Sequence, residues 1–72
     1  MEEISRILIE EYCREHPKTK KCAFLWKMVQ MSYDLASEPG DWEAIQLDRY
    51  IAQEKNPKLK EALEDLEDFL FI

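Results

Sequence analysis

The residue types that most often carry chemistry are few in this chain, and their spacing matches none of the common catalytic sites. Cys13, His16 and Cys22 offer three zinc ligands, whereas a structural zinc site needs four. His16 is the only histidine, the three serines have no neighbouring base, and the carboxylates near the end of the chain lack the Glu-x-x-His element of di-iron bundles. Gly40 is the only glycine, which excludes Walker and dinucleotide-binding loops. We therefore expect a protein that is not an enzyme, with no metal and no cofactor.

Composition predicts one small, soluble, acidic domain spanning residues 1–72. A chain of 72 residues buries only about 60% of the surface that its unfolded form exposes, so a margin of a few kcal/mol or help from a partner is expected. No apolar run approaches the roughly 18 residues of a membrane span, and the acidic N-terminus does not resemble a signal peptide. These features predict a cytoplasmic protein without membrane association, in which Cys13 and Cys22 stay reduced, although a bridge across the turn between them is open.

The net charge of −6 is concentrated at one end of the sequence. Five acidic residues and no basic residue lie between Glu61 and the terminus, whereas the preceding residues are nearly balanced. A negative mean field argues against non-specific binding to phosphate backbones or anionic membranes.

Hydrophobic periodicity predicts four helices and no strand. Thr19 and Asn56 are N-cap residues in the pattern, Pro57 follows Asn56 at the first helical position, and Asp41 is placed to cap the third helix. His16-Pro17 ends the first helix, because the residue before proline disfavours the helical conformation. The predicted helices span about 2–15, 19–37, 42–54 and from 57 to near the end. The fold class is all-α, most simply a compact bundle of about four short helices.

The predicted helices differ in how cleanly they separate apolar from polar residues. The first presents one apolar stripe, formed by Ile4, Ile7, Leu8 and Tyr12. The second is apolar over so wide an arc that it is either central to the fold or partly covered by a partner. In the last, leucines 59, 63, 66 and 70 with Ala62 form a stripe opposite the acidic residues. Phe71 and Ile72 do not fit this stripe and must leave the helix, fold over the bundle or contact a partner.

The third helix carries two apolar sets that cannot both face one core. Ala44, Leu47 and Ile51 form one stripe, and Trp42, Ile45 and Tyr50 lie away from it. We expect part of the second set to be exposed. Trp42, Ile45 and Arg49 follow at i, i+3 and i+7, a combination typical of interface hot spots.

The leading functional hypothesis is therefore protein–protein binding, as an adaptor, a regulator or a phage-type inhibitor. The acidic residues of the last helix could engage a basic, nucleic-acid-binding surface of the partner, as a nucleic-acid mimic does. The predicted partner-binding residues are Trp42, Ile45, Arg49, Glu61, Glu64, Asp65, Asp68 and Phe71.

Two alternatives remain open. In an up-and-down bundle the turns HPKTKK and KNPKLK share one end, which would gather six lysines into a nucleic-acid-binding surface. These lysines are Lys18, Lys20, Lys21, Lys55, Lys58 and Lys60. The other alternative is a homodimer that forms through the second helix.

Several short stretches from the first turn to the last helix share a pattern with a known family. They are His16-Pro17-Lys18, Tyr33-Asp34, Asp41-Trp42 with Ile45, Tyr50-Ile51 and Glu61-Ala62-Leu63. In these stretches the chain, from Pro17 to its end, resembles the small YozE-type, sterile-alpha-motif-like proteins of Gram-positive bacteria and their phages. The match requires small gaps, and the phenylalanine-proline that precedes the third helix in that family is reduced here to Pro39. The resemblance implies a compact helical domain that binds nucleic acid or protein, and it transfers no catalytic residue.

Overall fold

The computed structural model describes residues 1–34 and 39–71, and these residues form an all-α bundle. Its helices are α1 (Glu3–Glu15), α2 (Lys20–Tyr33), α3 (Asp41–Gln53) and α4 (Pro57–Leu70). The predicted fold class is confirmed. The second helix, predicted to reach 37, ends at Tyr33 with Asp34 in an extended conformation as its C-cap. Residues 35–37 of that prediction lie outside the described residues, as does Ile72.

Most helix ends lie where the capping residues predict them. The Thr19 side chain accepts a hydrogen bond from Cys22 N at 3.0 Å, and the Asn56 side chain accepts one from Lys58 N at 3.0 Å. Both oxygens satisfy backbone N–H groups that have no partner within the helix.

The predicted cap of α3 was wrong by one residue. Asp41 is the first helical residue and Gly40 is the N-cap. Gly40 has no side chain to cap the helix, and Glu43 reaches back instead, so that Gly40 N donates to Glu43 Oε2 at 3.1 Å.

The core lies where α1, α2 and α4 meet, and α3 covers one flank. The buried apolar residues are Ile9, Cys13, Cys22, Leu25, Met28, Val29, Leu47, Ile51, Leu59, Ala62, Leu63 and Leu66. The stripe predicted for α4 is buried except for Leu70, which is half-buried at the end of the helix. Helix α1 packs on α4 and α2, and α4 also packs on α2 and α3.

The stripe predicted for α1 was wrong, because the helix is rotated about its axis relative to that prediction. Ser5, Ile9 and Cys13 are the buried residues of α1, at i, i+4 and i+8. Ile4 is 63% exposed and Ile7 is 41% exposed, and only Leu8 and Tyr12 of the predicted stripe pack against the core. Helices α2 and α4 both pack against α1, and two of its three buried residues, Ser5 and Cys13, have small side chains.

Candidate partner-binding surfaces

One face of α3, formed by Trp42, Ile45 and Arg49 and named here the Trp42 face, is open to solvent. Trp42 is 70% exposed, Ile45 is 47% exposed, and Arg49 is also exposed. The buried residues of this helix, Leu47 and Ile51, lie on its other side. The structure thus places together the three residues that the i, i+3, i+7 spacing groups.

Tyr50, which the sequence assigns to the same apolar set, does not belong to this face. It is half-buried, its ring lies 5.4 Å from that of Phe24 in α2, and Lys21 Nζ lies 5.8 Å from its centroid. Tyr50 therefore helps to attach α3 to α2.

Four of the five acidic residues of α4 line a groove between α1 and α4, named here the α1–α4 groove. Its volume is about 570 Å³. The α4 wall carries Glu61, Glu64 and Asp68, which are exposed, and Asp65, which is half-buried. The remaining lining residues are Glu2, Ile4, Ser5, Leu8 and Lys58. Sequence reasoning grouped the α4 acids correctly and missed the α1 wall, because it assigned Ile4 to the core.

Asp65 joins the two walls of this groove. Glu2 N donates to Asp65 Oδ2 at 2.9 Å. This backbone hydrogen bond, with a second from the Ser5 hydroxyl, holds the pKa of Asp65 below its usual range. Asp65 therefore acts first as a structural tie between the start of α1 and α4, whereas Glu61, Glu64 and Asp68 remain available to a ligand.

Phe71 leaves the helix and folds against the bundle. It is the C-cap residue of α4, and it is half-buried against the core. It lines a small cavity of about 260 Å³ between α3 and α4, together with Ala44, Asp48, Glu67 and Asp68. Of the predicted partner-binding residues, Phe71 is thus the one with the clearest part in the fold itself.

The same cavity contains a carboxyl pair that sequence reasoning missed. Glu67 of α4 and Asp48 of α3 share a hydrogen bond, which together with burial and nearby negative charge raises the pKa of Glu67 to about 7. The pair therefore holds a proton near neutral pH. Only the packing of α3 on α4 brings the two residues together, because in sequence they look like ordinary surface carboxylates.

The lysines at the other end of the bundle are partly engaged within the protein. Lys21 Nζ lies 3.4 Å from Glu54 and 4.7 Å from the centroid of the Tyr12 ring. This ion pair joins the start of α2 to the end of α3, so the two lysine-rich turns do share one end. Lys58 lines the acidic groove and Lys60 is half-buried. The exposed lysines of the predicted set are Lys18, Lys20, Lys55 and Lys58.

Most of the described apolar residues of the α2 arc pack in or against the core. Leu25, Met28 and Val29 are fully buried, whereas Trp26 and Tyr33 are about half exposed, at 46% and 55%. The Tyr33 hydroxyl accepts a hydrogen bond from Arg6 Nη1 at 2.7 Å. A homodimer through α2 would therefore have few free apolar residues of that helix to use.

The two cysteines are buried free thiols that face each other across the α1–α2 turn. Cys13 Sγ donates to the Cys22 carbonyl and Cys22 Sγ donates to the Cys13 carbonyl, each at 3.5 Å. Burial and the neighbouring thiol raise the pKa of Cys13 to about 12. A thiol with so high a pKa is a poor nucleophile at neutral pH.

Within residues 1–34 and 39–71, no group of three or more histidine, cysteine or carboxylate residues is placed to hold a metal ion. No helix of these residues has both the length and the apolar character to cross a bilayer. No protein-family model, curated protein or solved structure matches the chain. The resemblance to YozE-type proteins therefore stays a prediction.

Proposed function

We propose that this protein works in the cytoplasm by binding another protein, with the Trp42 face of α3 at the centre of the contact. The observation that carries the proposal is the 70% exposure of Trp42 beside Ile45 and Arg49. Tryptophan and arginine are enriched at the centres of protein–protein interfaces, where a few such residues supply most of the binding energy.

The exposure of the Trp42 and Ile45 side chains does not stabilise the folded protein. Burying a large apolar side chain stabilises a protein by about 1.5–3 kcal/mol, which is a large fraction of the total stability of so small a domain. Trp42 and Ile45 leave that stabilisation unused on a helix that contributes only Leu47 and Ile51 to the core. A partner that covers the face would recover it.

The charge distribution supports a basic partner. Glu61, Glu64 and Asp68 are exposed along α4, and such an acidic row suits a protein whose own surface binds nucleic acid. Direct nucleic-acid binding through the lysine-rich end is less well supported, since Lys21 pairs with Glu54 and Lys58 lies among carboxylates. The two buried free thiols, Cys13 and Cys22, agree with a reducing compartment.

Capture of a partner by matched tryptophan variants tests the proposal. Tagged wild-type protein, Trp42→Ala and Trp26→Ala are used to capture proteins from a lysate of the source cells at physiological salt, and the bound proteins are quantified by mass spectrometry. We expect a partner that wild type and Trp26→Ala retain equally and that Trp42→Ala loses by at least about tenfold, the effect of one hot-spot residue.

Trp26 is a suitable control because it is an exposed tryptophan on another helix, 46% exposed. Equal melting temperatures of the three proteins exclude unfolding as the cause of the loss. Capture that is the same for Trp42→Ala and wild type would contradict a role for this face, and a monomer that retains no protein would contradict the function itself.

A further inference from the structure

The α1–α4 groove combines an apolar floor with an acidic rim, which is the complement of one particular kind of ligand. Ile4 is 63% exposed and Leu8 is half-buried within the groove, so apolar surface is available there. Glu61, Glu64 and Asp68 form the rim on α4. Among the described residues these three carboxylates make no ion pair.

The groove is formed before any ligand binds. Ser5, next to Ile4, is buried toward α4, and Asp65 Oδ2 accepts the hydrogen bond from Glu2 N. These contacts fix the start of α1 on α4 and hold Ile4 in the lining of the groove. A preformed groove lowers the ordering cost of binding.

The spacing of the rim carboxylates matches the dimensions of a helix. Glu61, Glu64 and Asp68 follow at i, i+3 and i+7, so they extend along about 10 Å of α4, or two helical turns. A ligand helix lying along the groove presents side chains at the same interval, and an amphipathic helix places apolar residues on one face with charged residues beside them.

We propose that the α1–α4 groove binds a basic amphipathic helix of the partner protein. The apolar face of that helix packs on Ile4 and Leu8, and its lysine or arginine side chains pair with Glu61, Glu64 and Asp68. This inference rests on the proposed function, since it names the chemistry of the partner and a second surface that contacts it. The exposed lysines of the described chain are Lys18, Lys20, Lys27, Lys55 and Lys58. They are scattered over turns, the first turns of two helices and one mid-helix position that pairs with Glu43, so they form no basic amphipathic helix for a second copy to insert.

Selection from a displayed library of helical peptides tests the groove directly. The library varies both the charge and the spacing of apolar residues, and the enriched peptides are synthesised and titrated against the full chain by calorimetry. We expect enriched sequences with a net positive charge and apolar residues at i, i+3 or i+4, and i+7. Their affinity should fall as salt is raised, because part of the attraction is electrostatic.

Two matched pairs of variants locate the site. Glu64→Lys and the double variant Gln30→Lys, Gln53→Lys both bring the net charge from −6 to −4, the first by replacing −1 with +1 and the second by adding two positive charges at exposed positions outside the groove. We expect about fivefold or greater loss of peptide affinity in the first and less than twofold in the second. Ile4→Ser should likewise weaken binding about fivefold, whereas Ile7→Ser, exposed on the same helix outside the groove, should not.

Several results would overturn the proposal. One is the absence of any enriched peptide at low salt, and another is enrichment of peptides with no basic or amphipathic pattern. Equal losses of peptide affinity in both members of a matched pair would also contradict it. So would concentration-dependent self-association of the protein that is lost in Glu64→Lys. Trp42→Ala is measured with the same peptides and should bind them unchanged. If the peptides fail while Trp42→Ala still loses the captured protein, the groove is excluded and the proposed function stands.

Discussion

Helices α4 and α3 have nearly the same length and opposite relations to the core. Helix α4 has 14 residues and buries Leu59, Ala62, Leu63 and Leu66. Helix α3 has 13 residues, buries Leu47 and Ile51, and leaves its only tryptophan in solvent. The comparison indicates that α4 organises the fold, whereas α3 is a peripheral helix with one surface that the fold does not use.

The contacts around α3 support this division. Its packing partner is α4, and its links to α2 are largely polar or aromatic. They include the Lys27–Glu43 and Lys21–Glu54 ion pairs, both at 3.4 Å, the ring contact of Phe24 with Tyr50, and the contact of Lys21 Nζ with the Tyr50 ring. The Lys27–Glu43 pair is exposed on its lysine side and contributes little to stability, and the part-buried Lys21–Glu54 pair ties only the end of α3, so α3 is held mainly through its contact with α4.

Two leucine truncations give the strongest test of the comparison. Leu63 of α4 and Leu47 of α3 are both fully buried, so Leu→Ala removes the same atoms from each site. We expect Leu63→Ala to lower the free energy of unfolding by about 4–5 kcal/mol and Leu47→Ala by about 2–3 kcal/mol, because a peripheral helix can move in to fill part of the cavity. Chemical denaturation at 25 °C in the stabilising osmolyte trimethylamine N-oxide, which keeps the weaker variant folded at the start of the titration, measures both values.

One result of the same experiment would contradict the predicted difference between α3 and α4. Equal losses for the two variants would mean that α3 is as firmly part of the core as α4. Hydrogen exchange on the wild-type protein gives an independent measurement, since backbone amides of α3 should open with a lower free energy than those of α4.

Removing the N-terminal caps of α4 and α3 should reveal a smaller difference in stability between the two helices. The Asn56 side chain accepts hydrogen bonds from Lys58 N and Leu59 N at the start of α4, and Asn56→Ala should cost about 1 kcal/mol. Glu43 caps the exposed start of α3. We expect Glu43→Ala to lower the free energy of unfolding by less than Asn56→Ala does, because water reaches the freed Gly40 N–H. Thermal unfolding followed by circular dichroism compares the two, with Thr19→Ala as a second capping control. A larger loss for Glu43→Ala than for Asn56→Ala would contradict the peripheral role of α3.

The sequence predicts α4 and the caps at Thr19 and Asn56 correctly because these features depend on local rules. A stripe of leucines at helical spacing has only one face to bury, and a capping side chain acts within three residues of itself. The same rules separate the two apolar sets of α3 and lead to the expectation, here confirmed, that part of the second set is exposed; the structure shows that the exposed members are Trp42 and Ile45.

Local rules cannot predict features that depend on how two helices pack against each other. In α1 the apolar residues cover more than one face, and the positions of α2 and α4 select Ser5, Ile9 and Cys13 for burial. The floor of the α1–α4 groove was missed for that reason, since Ile4 is apolar but faces solvent. The Glu67–Asp48 pair was missed because the two carboxyls lie 19 positions apart in sequence and only packing brings them together.

That carboxyl pair provides the most subtle test of how α3 is attached to α4. The pKa of Glu67 is raised to about 7 in the folded protein from a usual value of 4.5, so folding favours the protonated form. The stability that this proton contributes is fully present below about pH 4.5 and is lost as the pH rises to about 7, where ionised Glu67 repels Asp48 across the junction. Glu67→Gln removes the repulsion and keeps a hydrogen-bond donor toward Asp48. We expect its melting temperature to exceed that of wild type by about 4 °C at pH 8 and to match it near pH 5. Because solvent screens the repulsion between the two carboxylates, this effect is smaller than the loss of stability in Asn56→Ala.

Glu61→Gln is the matched control for this measurement, since it removes one negative charge from an exposed position of the same helix, away from α3. Melting curves of the three proteins from pH 5 to pH 8 should show a flatter profile for Glu67→Gln and the wild-type profile for Glu61→Gln. Asp48→Asn should give the same flattening from the α3 side, because it removes the other half of the pair. If Glu61→Gln and Glu67→Gln give identical profiles, the effect comes from overall charge and not from the junction. In that case the carboxyl pair does not control how firmly α3, and with it the Trp42 face, is held on the bundle.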